Sequence, residues 1–175
     1  MLNEDDLGWL ETPEQGWTTF QLPSSILEDS FVSGDKSGRR LEIRYFQNTA
    51  DGSLRAKVVL GPAAQGPPGH AHGGSMAALL DEAMGSAAWM SGHMSVAAEL
   101  TTRFRSMLPL GTRCIMDARV ASVDGRKIRT SGLLRDEVGR VYTEGDALFI
   151  TVDPDKFGAL TTEASSLFAE LGERK

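Results

Sequence analysis

A chain of 175 residues with 41% hydrophobic and 24% charged side chains has the composition of one globular domain able to bury a sizeable core, and it is short for two. A formal charge of −6 and an isoelectric point near 5.1 supply no overall field for a phosphodiester backbone, which excludes nucleic-acid binding driven by counterion release and leaves any anion site local. Cys114 is the only cysteine, so no intrachain disulfide is possible. The opening MLNEDDLGWLE has neither the basic nor the apolar region of a secretory signal, and no segment reaches the ~18 apolar residues of a membrane span, so the expected location is the cytoplasm.

Residues 1–38 read as an N-terminal extension, partly helical, with a short helix expected over 24–31: Ser24 or Ser25 can cap it and Glu28 falls in its first turns. Two alternating runs follow at 40–47 and 54–60, joined by Asp51-Gly52, which reads as a hairpin. A proline- and glycine-rich loop over 61–69 leads into one long helix over 73–90. Four more alternating runs, at 96–106, 113–123, 127–136 and 140–152, are joined by short turns containing Gly111, Gly125 and Gly139. Such turns make the sheet antiparallel. The reading is an α+β domain over 39–153, six strands wrapped around one central helix, with a tail over 154–175 whose Leu167, Phe168 and Leu171 suit a short amphipathic helix.

On the central helix, Met76, Leu79, Leu80, Ala83, Met84, Ala87 and Trp89 spread over more than half the circumference at 100° per residue, too wide for a surface helix. The helix should be mostly buried. The remaining sector holds Gly74, Ala78, Asp81 and Gly85, with the polar row Ser75, Glu82 and Ser86 beside it. Small residues on one line let a backbone, a helix or a ligand approach, and Asp81 sits on that line. Two readings of Asp81 stay open on these grounds, a structural acid satisfied by backbone donors and a group that meets a ligand. Glu82 reads more easily as a helix-face acid than as a residue with a direct role. His70 and His72 sit two residues apart, but neither a third histidine nor a carboxylate at ligand spacing joins them, and no metal is expected.

His72-Gly73-Gly74, followed by a small and apolar run to Leu80-Asp81 and then Gly85, resembles the central-helix motif of the hotdog-fold acyl-coenzyme A thioesterases. Gly66-Pro67-Pro68-Gly69 ahead of the histidine, Val123-Asp124-Gly125-Arg126-Lys127 at a strand turn, and Tyr142-Thr143-Glu144 with Leu148-Phe149-Ile150 in the last strand extend the likeness over about residues 40–152. The chain is similar to the fatty acyl-CoA subgroup and, more distantly, to the phenylacetate-pathway enzymes. The resemblance implies a hotdog fold and hydrolysis of an acyl-CoA thioester. It also implies Asp81 as general base or nucleophile, the Gly73 N–H as oxyanion donor, and His72 as a residue that shapes the site. One departure stands out: where relatives often carry a hydroxyl at the start of the following strand, this chain has Ala97. Ser95, Thr101, Ser86 or Glu82 are substitutes among which the sequence does not choose.

Elementary chemistry agrees with those roles. Thioester hydrolysis needs a group that attacks or activates water and donors for the developing oxyanion. A helix N-terminus at Gly73-Gly74 offers free N–H groups and the positive end of the dipole, and glycine lets a substrate approach. Coenzyme A phosphates require local cations. Arg103 and Arg105 alternate on one strand and Arg126, Lys127 and Arg129 cluster at and after a turn; Arg103, Arg105 and Arg129 suit a solvated strand face equally well, whereas for Arg126 and Lys127 the resemblance points to binding. No separate cofactor is called for. Alternatives are a non-catalytic acyl-CoA or acyl-carrier binding protein and a dehydratase with a histidine base.

Gly73 and Asp81 lie eight residues apart, roughly 12 Å along one helix at ~1.5 Å per residue, too far for one carbonyl group to touch both. Antiparallel central helices in a homodimer would set Gly73 of one copy against Asp81 of the other. A homodimer or a homotetramer built as a pair of dimers is therefore expected.

Overall fold

The structure, a computed structural model, describes residues 3–20, 30–35 and 37–153. Helix α1 (Glu4–Glu11) is followed by strands β1 (Trp17–Thr19), β2 (Leu41–Asn48) and β3 (Leu54–Leu60), then helix α2 (Gly73–Met90), then β4 (Ser95–Phe104), β5 (Arg113–Asp124), β6 (Lys127–Asp136) and β7 (Val141–Thr151). All strand pairs are antiparallel, in the order β1-β2-β3-β5-β6-β7-β4. The long helix and six of the strands are those read from periodicity, each strand within two residues of its expected ends. The seventh, β1, is three residues long and too short to alternate visibly. The tail over 154–175 lies outside the described residues, as do residues 24–29 of the expected N-terminal helix; Phe31 sits in a turn.

The hairpin between β2 and β3 shows how local chemistry sets register. Asp51 Oδ1 accepts from the Ser53 N–H at 3.0 Å, Gly52 takes φ +70°, and its N–H reaches the Asn48 carbonyl at 2.8 Å. A positive φ suits glycine at little steric cost.

Helix α2 lies in the concave face of the sheet, and Met76, Leu79, Leu80, Ala83, Met84, Ala87 and Ala88 are buried there with Leu54, Ala56, Val58, Met116, Ile128 and Phe149. Two glycines set how closely it sits. Gly132 on β6 is the cross-strand partner of Gly145 on β7. A Cβ at Gly132 would stand 3.2 Å from both Leu80 and Met84, and one at Gly145 would stand 2.7 Å from the Thr101 carbonyl oxygen on β4. The absence of two side chains is what admits Leu80.

The other face of β3 is covered by α1, which the sequence reading did not place. Asn3 and Asp6 form a reciprocal capping box at its start, and Leu10 is fully buried. Lys57 on β3 is 1% exposed. Its ammonium donates to the Thr12 carbonyl at 2.7 Å and the Trp9 carbonyl at 3.2 Å, pairs with Glu14 at 2.6 Å, and lies 4.8 Å from the centre of the Trp9 ring. A buried ammonium is tolerable because each of its donors meets an acceptor. No helix among the described residues is long and apolar enough to cross a membrane.

The glycine pair makes a stability prediction. Gly145→Ala should lower stability by about 1–3 kcal/mol, since the obstructing atom is a backbone carbonyl that has no rotamer to change. Denaturant titration of the variant checks this, and an unchanged midpoint would show that β4 and β7 adjust freely.

Candidate functional site

The loop before α2 is built to deliver His72. The His72 N–H donates to the Ala64 carbonyl at 2.7 Å and the Ala71 N–H to the Leu108 carbonyl at 2.8 Å. A Cβ at Gly66 would come within 2.8 Å of His72 Cα, so glycine is needed where the loop passes back over itself. His72 is the N-cap: its Nδ1 accepts from the Gly74 N–H at 2.9 Å. A Cβ at Gly74 would stand 2.9 Å from that same Nδ1, so Gly74 makes room for the cap. With Nδ1 engaged, His72 is a poor candidate for the base of a dehydratase. The Gly73 N–H is free: among the described residues it donates to nothing, and the Phe104 ring lies over this glycine.

Two turns further on, Asp81 is half-buried, and its Oδ1 is buried without a hydrogen-bond partner among the described residues. Burial first, and the charge of Glu82 second, raise the Asp81 carboxyl above the ordinary aspartate value. A carboxylate so placed is a stronger base than free aspartate. It opens into a cleft of about 250 Å³ lined by Gly85, Ser86 and Trp89 on α2, Ser95, Val96 and Ala97 on β4, Phe149 on β7, and Ser30 and Glu82. Glu82, one residue on, is different. Ser30 Oγ donates to its Oε2 at 2.6 Å, and Ser33 Oγ and the Tyr45 hydroxyl both donate to its Oε1.

The chain by itself does not bring all the expected residues together. Gly73 is absent from the cleft around Asp81, and the Phe104 that covers it lies at the far end of β4 from Ser95. Arg126 and Lys127 form the β5–β6 turn, where Lys127 pairs with Ile150, and the Arg126 Nη2 donates to the Thr151 carbonyl at 3.0 Å. Ser95 pairs with Thr151, which sets that turn at the cleft's Ser95 end. Arg103 stands opposite Glu144, about 20 Å away along β7 at ~3.4 Å per residue, and is ion-paired with Asp146 at 2.7 Å. Among the described residues no cluster of three or more histidine, cysteine or acidic side chains is arranged to hold a metal ion. A larger concavity of about 640 Å³ on the outer face of the sheet has several of its charges paired with one another, Asp117 with both Arg55 at 2.7 Å and Arg135 at 3.0 Å, and Arg103 with Asp146.

Sequence reasoning missed the three hydroxyls on Glu82. Tyr45 reads as one more inward-facing residue of an alternating strand, and only its hydroxyl hints at a buried acceptor. It also did not show which side chains adjoin the small-residue line of α2, whose Asp81 and Gly85 line the cleft. The Phe149 ring would stand 3.2 Å from a Cβ at Gly85, and His72 fills the space at Gly74.

The raised Asp81 carboxyl has a consequence for stability. The folded state holds that proton to higher pH than the unfolded chain does. The group's contribution is therefore fully present below the unfolded value, about 3.9, and is lost as pH rises through the folded value. At pH 7 the ionised group opposes folding. Asp81→Asn should be more stable than the native chain at pH 7, and the advantage should disappear below about pH 3.9. Urea titrations at both pH values check it; a variant less stable at pH 7 would mean that the carboxylate is satisfied in solution.

The family model described as thioesterase superfamily matches residues 68–143. The chain is 34% identical over 122 residues to an acyl-coenzyme A thioesterase, THEM4, of Xenopus laevis, an alignment covering 69% of this chain and 54% of that protein. It thus spans little more than half the length of that relative. A solved thioesterase superfamily protein superposes with a TM-score of 0.58 at 39% identity, over 62% of this chain and 53% of the other. A Bacillus halodurans protein solved with CoA superposes with a TM-score of 0.51 at 25% identity, over 56% and 66%. The helix start at His72-Gly73-Gly74, the half-buried aspartate two turns on and the antiparallel sheet around them occur here in a chain with the hotdog fold whose residues 68–143 match the thioesterase superfamily model.

Proposed function

We propose that this chain hydrolyses an acyl-coenzyme A thioester to the free acid and coenzyme A. The observation that carries the reading is the Asp81 carboxylate, held without a donor on Oδ1 at the mouth of a largely apolar cleft. It is supported by the name of the Xenopus laevis relative and by the coenzyme in the Bacillus halodurans structure. Asp81 removes a proton from water as the water attacks the thioester carbon, or attacks that carbon itself. The electron pair moves to the carbonyl oxygen, then returns as the C–S bond breaks. By the first route the thiolate takes up the proton that Asp81 removed from water. By the second, water hydrolyses the acyl anhydride left on Asp81, which restores the carboxylate and supplies the proton to the thiolate. The oxyanion needs a donor, and the free Gly73 N–H at a helix N-terminus is the group suited to it.

Because Gly73 lies outside the Asp81 cleft of its own chain, the proposed site forms between two copies, with α2 antiparallel to its mate. Strand β4 favours this arrangement. It ends the sheet, and Val96, Ala97, Ala98, Glu99, Thr101, Arg103 and Phe104 along it are exposed, an edge that β-proteins usually cover. Two such dimers make the homotetramer, which this reading also admits. His72 and Gly74 hold the helix start in shape. Arg126 and Lys127 at the cleft's Ser95 end are the proposed seat of the coenzyme phosphates; Arg103, ion-paired and distant, is proposed only for the copy across the interface. Cys114 is buried, with its thiol pushed up to about 12 mainly by burial, and suits a reducing cytoplasm. The second reading, an acyl-CoA binding protein without turnover, rests on Ala97, which puts no hydroxyl on the cleft wall where water must be oriented.

Incubation with a panel of acyl-CoA species, following free thiol, separates the two. Hydrolysis predicts release that Asp81→Asn cuts by about 10²–10⁴-fold. In the Arg126→Ala/Lys127→Ala variant KM should rise with kcat nearly intact, the pattern of lost uniform binding. Tight binding without release from any member of the panel would establish the binding protein instead.

A further inference from the structure

Glu82 occupies an unusual position for a helix residue beside a reactive acid. Its Oε2 accepts from Ser30 Oγ at 2.6 Å, and its Oε1 accepts from both Ser33 Oγ and the Tyr45 hydroxyl. Ser30 and Ser33 belong to a tight turn ahead of the first long strand. The Val32 and Ser33 N–H groups donate to Ser30 Oγ at 3.3 and 3.1 Å, and the Gly34 N–H donates to the Ser30 carbonyl at 2.9 Å. These bonds set the Ser30 hydroxyl so that its own proton points to Glu82. Tyr45, on β2, is 6% exposed, and its phenol is pushed well above the ordinary value by burial first and the Glu82 charge second, which keeps it a donor. Three hydroxyl donors from two separate segments thus converge on one carboxylate, while its neighbour Asp81 has a buried oxygen with no donor.

We infer that Glu82 is a positioning residue: pinned by Ser30, Ser33 and Tyr45, its charge acts through space on Asp81 and reserves Asp81 as the carboxylate that meets substrate. This rests on the proposed hydrolysis. Among the described residues, the remaining lining of the cleft carries no charge to compete with it. Gly85, Ser86 and Trp89 face it from α2, Ser95, Val96 and Ala97 from β4, Phe149 from β7, and Ser30 from the turn. A like charge fixed nearby disfavours ionisation of Asp81 and makes its carboxylate a stronger base, in line with the direction in which the Asp81 carboxyl is moved. The donors also answer what a second acid near the reacting carbon would otherwise do. A loose Glu82 could compete for the water or the proton; with three of its roughly four acceptor sites taken by fixed hydroxyls it competes less well. The turn at Ser30–Ser33 lies outside β2–β7 and α2, so a segment ahead of the main sheet takes part in tuning the site.

Two measurements test this, one of which needs no activity. The first is the pH profile of kcat/KM for thiol release. Glu82→Gln keeps the shape and hydrogen-bonding capacity of the side chain and removes the charge. The acid limb should move to lower pH and the plateau should fall severalfold. An acid limb that stays in place in a variant that still hydrolyses would overturn the inference and leave the hydrolysis standing. The second is a double-mutant stability cycle between Asp81→Asn and Glu82→Gln at pH 7 and below pH 3.9. The stability gained from Asp81→Asn should be smaller in the Glu82→Gln background at pH 7, and the coupling should vanish at the acid pH. Additive effects at pH 7 would overturn the inference, whether or not either variant turns over substrate. A native chain that releases no thiol, with the coupling intact, would instead count against the hydrolysis alone.

Discussion

An oxygen of a carboxylate that is cut off from water and given no donor costs free energy, and among the described residues the Asp81 Oδ1 is such an atom. Most of the structure can be understood as what holds it there. The helix carrying it is buried over more than half its surface, so it cannot rotate to expose the acid without dragging Leu79, Leu80, Ala83 and Met84 out of the core. The glycine pair Gly132 and Gly145 sets the depth of that helix in the sheet. The adjoining Glu82 is bonded to three hydroxyls and cannot move to share a proton with its neighbour. The acid is thus left with room on one side only, the cleft between α2, β4 and β7.

Rigidity of this kind has to be anchored beyond the helix. Strand β3 runs through the middle of the sheet and is covered on both faces, by α2 on one and by α1 on the other. Lys57 is the unusual means of attachment, an ammonium taken out of water and returned three oxygen partners and an indole face. Arg113, bonded to Asp6 at 2.9 Å, also approaches Trp9 and ties α1 to β5. The segments ahead of β2 therefore act at two levels. One clamps the outer face of the sheet, and the other, at Ser30–Ser33, reaches through to the carboxylates.

The sequence makes the long elements legible for a simple reason: their burial repeats. Helix α2 and strands β2 to β7 each keep a period long enough to be read, and the glycines of their turns mark where it breaks. The chemistry at Asp81 is legible because one acid interrupts an apolar helix. What escaped has no period. A three-residue strand cannot alternate, and α1 buries chiefly Leu10, so its attachment depends on a lysine that any pattern assigns to solvent. The hydroxyls on Glu82 come from positions far apart in the chain, 52, 49 and 37 residues away, and only the fold brings them to one atom pair. The small-residue line was seen but its occupants were not, because the Phe149 ring and the His72 cap are tertiary and loop features.

The central claim is that the site is shared: Asp81 of one copy works with the Gly73 N–H of the other. The geometry of α2 makes this testable, since His72 has φ −67° and ψ 138°, a conformation that accepts a following proline, and the Gly73 N–H bonds to nothing among the described residues. Gly73→Pro therefore removes the donor at a position the helix tolerates, although its Cβ would stand 3.1 Å from the exposed Phe104 ring, which must turn aside. Hybrids formed from Asp81→Asn and Gly73→Pro chains, each first shown to fold and associate, contain one site with both groups intact and one with neither. Thiol release by purified hybrids should recover to as much as half of the native rate, although each parent is inactive. Hybrids that assemble and remain as inactive as their parents would contradict a shared site.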